Sequence, residues 1–203
     1  MFKPNLSRAL CMLAVASLMS AAGISAQELE ESLELVYSKP GVDLSGYQQF
    51  MLLPLDLEGV RIVPPPWVQN PDPRAWELTP ENRQFLVSTF AAAVPKGIDE
   101  AGLFPVVDAA GPETLQVEVR LISLTPWAAR EEEVTTMGSG MLSFEAQIRD
   151  AQTAELIAIF EGTQQVGREY QENTPLNRAE GVTEHFSNWG RSISRRLAAA
   201  QTN

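Results

Sequence analysis

One histidine, one cysteine, a run of three glutamates and a glycine–serine–glycine segment are the places where this 203-residue chain could hold reactive chemistry. A lone imidazole, His185, cannot build a multi-histidine metal site. Its neighbour Glu184 is one residue away, and on a helix that spacing points the two side chains apart. A serine nucleophile would need a turn that presents it to the histidine, and no Gly-x-Ser-x-Gly occurs. His185 therefore reads as a helix residue flanking an apolar stripe, not as a base.

Paired carboxylates can work as acid and base without histidine. Glu131-Glu132-Glu133 is the densest such cluster, in a loop bounded by Pro126-Trp127 and Met137-Gly138-Ser139-Gly140. Adjacent like charges in a loop are ordinarily solvated. A calcium loop would alternate its acids around a central glycine, which this run does not. Gly138-Ser139-Gly140 is too short for a phosphate cradle, and no Lys-Ser or Lys-Thr follows it. The reading assigns no catalytic, cofactor-binding or metal-ligating residue and expects a non-catalytic protein without cofactor. A carboxylate-based glycan hydrolase is the remaining enzymatic alternative, and it would need two acids at a set separation.

Three tryptophans, Trp67, Trp76 and Trp127, fall outside the predicted elements, two of them beside proline. Tryptophan is enriched where proteins recognise one another, and proline lowers the cost of ordering a recognition loop. These three are the candidate partner-binding residues. The competing reading folds the rings back onto the core, since most tryptophans are largely buried.

The elements that would position these residues follow from periodicity. Tyr47 to Leu55 is a mostly apolar run suited to a buried strand. Glu58 to Glu77 holds Pro64-Pro65-Pro66-Trp67 and Asn70-Pro71-Asp72-Pro73 and reads as a stiff, extended loop. Thr79 can cap a helix with Pro80 at its first position and Glu81 at its positive end. Phe85, Leu86, Phe90, Val94 and Ile98 give that helix an apolar face. Pro95 and Gly97 predict a kink or break, and Gly102 the stop. Phe104 to Val107 reads as a minor strand. Leu115 to Leu121 and Leu142 to Ile148 alternate apolar and polar residues with a period of two, and Leu156 to Phe160 is a further strand. Asp150 to Glu155 is a hairpin turn in which Asp and Thr side chains can bond nearby amides. Val182, Phe186, Trp189, Ile193 and Leu197 mark a last helix over about 178–200, with Arg191, Arg195 and Arg196 toward its negative end. This order predicts an α+β fold, a two-layer sandwich of mainly antiparallel sheet with two helices on one face.

The start of the chain predicts export. Lys3 and Arg8 precede an apolar run, Ala9 to Met19, and small residues follow to Ala26, the layout of a removable signal peptide over residues 1–26. The run is shorter than the roughly 20 residues that span a bilayer. Cleavage is expected after Ala26, with a cut a few residues earlier as the alternative, since Ile24 is bulkier than the usual small residue. Cys11 sits at the front of the run, preceded by Arg8-Ala9-Leu10, so it does not match a lipid-attachment site and would leave with the signal. The mature chain would then have no disulfide and no thiolate ligand. Residues 27–46, polar and with Pro40-Gly41 as a turn signal, are expected as a loosely held N-terminal arm, and 47–203 as one domain.

The charge is strongly acidic, −11 overall, and loss of Lys3 and Arg8 would make it −13. Such a surface repels nucleic acid and anionic membrane alike, and neither is expected as a partner. No repeat and no long low-complexity tract occurs.

Several segments together resemble a known family. Gly41-Val42-Asp43-Leu44-Ser45-Gly46-Tyr47 and Met51-Leu52-Leu53-Pro54 are similar to the opening of bacterial domain-of-unknown-function family 3313. Gly111-Pro112-Glu113-Thr114-Leu115-Gln116-Val117, Asp150-Ala151-Gln152-Thr153-Ala154-Glu155-Leu156 and Phe186-Ser187-Asn188-Trp189 agree with it too. The resemblance implies a secreted protein or lipoprotein of the Gram-negative envelope, with no established activity and no catalytic residues to carry over. The chain lacks the anchoring cysteine of many relatives, and Ala154 stands where the family pattern usually has glycine. The functional expectation is a periplasmic protein without a lipid anchor that binds another envelope component through its Trp/Pro loops. The alternative is a small-ligand protein, for lipid or glycan, with a pocket between sheet and helices.

Overall fold

A computed structural model describes residues 33–201. The leader expected over 1–26 and the first part of the arm lie outside the described residues. The chain runs β1 (Leu33–Ser38), β2 (Gln49–Leu52), β3 (Arg61–Ile62), a 3-10 turn (Pro73–Trp76) and α1 (Pro80–Ala101). It continues through β4 (Thr114–Pro126), β5 (Thr135–Met137), β6 (Gly140–Asp150), β7 (Leu156–Val166), β8 (Tyr170–Glu172) and α2 (Pro175–Gln201). The main sheet has the order β1-β7-β6-β4-β2, with β3 also paired to β4. Its long strands are antiparallel, while β2 and β3 run parallel to β4. With two helices, this is the predicted α+β sandwich.

The two alternating strands form as their pattern requires. Leu115, Val117, Val119 and Leu121 on β4 are buried, as are Leu142 and Phe144 on β6. The Asp150–Glu155 turn joins β6 to β7. Asp150 Oδ1 accepts from the Gln152 and Thr153 amides at 3.0 and 2.7 Å, and Ala154 takes a left-handed φ of 59°. Tyr47 Oη donates to the other oxygen of Asp150 at 3.0 Å, so the start of the family-like segment is tied to this turn.

Thr79 caps α1 by accepting from the Asn82 amide, and Gly102 ends it at φ 66°. Of the kink or break predicted at Pro95 and Gly97, the break does not occur: α1 is continuous to Ala101. Tertiary packing offsets the lost backbone bond, because Ala93, Val94, Gly97 and Ile98 are all buried. A side chain at Gly97 would overlap the Ser187 carbonyl oxygen of α2, and one at Gly190 would overlap the Val94 carbonyl oxygen of α1. Reciprocal glycines thus let the helix backbones touch. Phe90 and Phe186 meet edge to face across this contact, with centroids 5.4 Å apart. Each such ring stabilises the fold by about 2–3 kcal/mol on burial.

Four further expectations change. The loose arm over 27–46 contains β1, which pairs antiparallel with β7 at the sheet edge. Val42, Leu44 and Tyr47 pack on the core, and Gln201 Nε2 donates to the Leu44 and Tyr47 carbonyls at 3.1 and 2.6 Å. An edge strand exposed on both sides carries no long apolar run, which hides it in the sequence. Phe104–Val107 makes a single bridge to Phe50 and not a strand. The proline-rich loop contains β3 and the 3-10 turn, so it is partly regular. The last helix starts at Pro175, capped by Thr174 Oγ1 accepting from the Asn177 amide at 3.2 Å.

Candidate binding site

A cavity of about 200 Å³ lies between the sheet and the C-terminal half of α2. Val117 and Val119 of β4, Phe144, Ala146 and Ile148 of β6, and Ala158 and Phe160 of β7 form its floor. Trp189, Ile193 and Leu197 of α2 form its roof. Gln164, Ser192 and Arg196 are the only lining residues with purely polar ends. The space exists because Ala146 and Ala158 are small where Phe144, two residues along the same strand face, is large enough to reach Trp189 at 4.5 Å between centroids. The Trp189 indole N–H donates to Gln164 Oε1 at 2.6 Å, so the polar atom of the roof is already satisfied. An apolar lining of this kind favours apolar guests.

The three loop tryptophans separate. Trp67 is 62% exposed and lies against the half-buried Trp127, with ring centroids 5.4 Å apart and planes at 41°. Trp76 is buried, at the end of the 3-10 turn. None of the three borders the sheet cavity; the tryptophan that does is the helical Trp189. Sequence alone gave no sign of that role, since Trp189 sits in the ordinary apolar stripe of α2.

His185 is buried beside Trp189, with ring centroids 5.2 Å apart, and its Nε2 has no hydrogen-bond partner. Burial, with some repulsion from Arg168, lowers its pKa to about 4. It is a neutral imidazole packed in the core. Glu131, Glu132 and Glu133 are all exposed, and Glu132 accepts from the Ala129 amide at 3.1 Å, closing its own turn. Gly138 and Gly140 are required by crowding: side chains there would collide with the backbone of residues 166–167 and of Thr125. That segment joins β5 to β6. Among the described residues no group of three His, Cys, Asp or Glu could hold a metal, and no helix is long and apolar enough to cross a membrane.

The family follows from the pattern of the whole chain. Residues 24–193 match the model of a protein of unknown function, DUF3313. The chain belongs to that family. No curated protein sequence matches it. Among solved structures it is similar to a PelC L103M dodecamer from Paraburkholderia phytofirmans, at 9% identity and TM-score 0.37, over 77% of this chain and 95% of that one. A DUF330 protein from Xanthomonas campestris is similar at 11% identity and TM-score 0.43, over 82% and 93% of the two chains. A Helicobacter pylori homolog of a neuraminyllactose-binding hemagglutinin gives 8% identity and TM-score 0.38, over 82% and 90%. All three scores are low, and nothing functional follows from them.

Proposed function

We propose that this DUF3313 protein is an exported, non-catalytic binding protein of the periplasm whose ligand is an extended apolar chain of the lipid class. The observation that carries the reading is the sheet–α2 cavity, whose walls offer hydrocarbon almost throughout. A glycan would bring many hydroxyls and find too few partners there, at about 1–3 kcal/mol for each buried group left unpaired. An acyl chain brings none. Export comes from the leader-like residues 1–26, and the absence of catalysis from the neutral, enclosed His185 and the solvated glutamates.

Thermal denaturation with straight-chain fatty acids of increasing length tests this. Binding at a hundredfold excess over Kd adds about 2.7 kcal/mol, so the melting temperature rises with chain length until the cavity is full. Ala146→Phe fills the space and abolishes the rise. Lack of any rise, or an equal rise in the filled variant, contradicts the reading.

A second reading has its own observation. The exposed Trp67 stacked on Trp127 forms an aromatic surface beside Pro64–Pro66, suited to a protein partner in the envelope. Capture of envelope proteins by wild type, and its loss in Trp67→Ala and Trp127→Ala, supports this surface; equal capture removes it.

A further inference from the structure

A second and larger cleft, of about 480 Å³, opens at the other end of the sandwich. It lies between the first turns of α1 and α2 and the strand ends at Leu124, Met141 and Val166. Trp76 and Phe85 give it an apolar wall, and Arg130 and Arg178 both border it. Volumes in this range are those of ordinary small-molecule sites.

The two arginines are built into place. Arg178 Nη1 donates to the carbonyl and side-chain oxygens of Asn173 at 3.1 and 2.6 Å. Asn173 Nδ2 in turn donates to the Ala129 and Glu132 carbonyls at 2.8 Å each, fastening the loop that carries Arg130 to the start of α2. Arg130 Nη2 donates to the Glu77 carbonyl at 3.0 Å. Every acceptor these guanidiniums use is neutral, and among the described residues neither forms an ion pair. Glu77 and Glu131 also border the cleft and are exposed, as Arg130 is, and Glu81 lies within electrostatic reach of Arg130; neither glutamate at the rim closes on a guanidinium. Arg178 is set deeper than Arg130. Burial and then repulsion from Arg130 lower its pKa from the usual value, with no carboxylate acting against them. Two capped helix N-termini, at Thr79 and Thr174, also open toward this end and add positive potential. In a chain with 26 acids and 15 bases, two cations that repel one another and donate only to neutral acceptors at an aromatic-walled cleft offer a negative charge both guanidiniums.

The geometry points to this cleft as a binding site for a small organic anion. Its carboxylate or phosphate head sits between Arg130 and Arg178, and its apolar or aromatic body lies on Trp76 and Phe85. The site goes beyond the lipid-chain reading and does not rest on it, since no residue lines both cavities.

Titration calorimetry on the described domain in its full chain tests it with four probes of one shape: phenyl phosphate, benzoate, phenol and benzamidinium. One or both anions bind while phenol and benzamidinium bind at least about tenfold more weakly, and the better anion identifies the head group. Arg130→Gln and Arg178→Gln each weaken the anion about tenfold. Arg178→Lys, which keeps a charge, loses less. Ala146→Phe, at the other cavity, changes nothing. Because Arg178 also holds Asn173, melting curves accompany each variant, and Arg130→Gln stands as the reading free of that contact. Phenol binding as well as the anions, no anion binding, or full binding by Arg130→Gln overturns the site.

Discussion

Trp189 on α2 and Gln164 on β7 share a buried hydrogen bond of 2.6 Å that fixes helix to sheet beside the apolar cavity. The bond explains how a tryptophan with a polar nitrogen can roof a hydrocarbon space. Trp189→Phe keeps a ring but loses the bond and some packing on Phe144. We expect a loss of about 1–3 kcal/mol in chemical denaturation, from the lost buried bond.

The helix contact at Gly97 and Gly190 predicts a second loss. Gly97→Ala raises helix propensity by about 1 kcal/mol in isolation. Here the added methyl collides with the Ser187 carbonyl oxygen, and backbone cannot yield as a flexible side chain can. Overpacking of this kind costs about 3 kcal/mol, so the variant melts lower despite its better propensity. A rise in melting temperature would contradict the close crossing.

His185 gives the domain an acid-sensitive stability. In the unfolded chain it titrates near 6.5, and in the fold burial holds it at about 4. The unfolded state therefore gains a proton that the native state refuses. The stability is intact above pH 6.5 and declines as pH falls toward 4, by up to about 3 kcal/mol. His185→Gln flattens that part of the curve, which denaturant midpoints between pH 4 and 7 would read.

At the β6–β7 turn, Ala154 holds a left-handed conformation that strains a residue with a Cβ. Ala154→Gly, despite freeing the unfolded chain, is expected to stabilise by about 0.5–1 kcal/mol, measured by denaturant unfolding. The turn itself is set by Asp150, whose oxygen gathers two amides, and not by residue 154.

Periodicity made the fold legible wherever one face of an element is buried along its length. β4, β6 and the α2 stripe are such elements, and the Asp150 turn follows from side-chain chemistry. β1 escaped because both its faces reach solvent, and β5 and β8 because three residues carry no period. Pro95 leaves α1 unbroken because its local penalty is outweighed by packing such as the Gly97–Ser187 contact, which is invisible without α2. The candidate sites were less legible. Proline beside tryptophan does not say whether the ring turns out, as at Trp67, or in, as at Trp76. The sheet cavity is made by what Ala146 and Ala158 lack, and small residues in a strand look like any others. The Arg130–Arg178 pairing depends on Asn173 joining segments more than forty residues apart in the chain.

The account stands on occupancy of the sheet cavity by an acyl chain, and methyl NMR with a spin-labelled fatty acid reads that occupancy directly. The predicted result is selective broadening of Ala146, Ala158 and Ile193 methyl signals, reversed by unlabelled fatty acid and absent in Ala146→Phe for the remaining two. Uniform weak broadening across the surface, with those methyls unaffected, would contradict it.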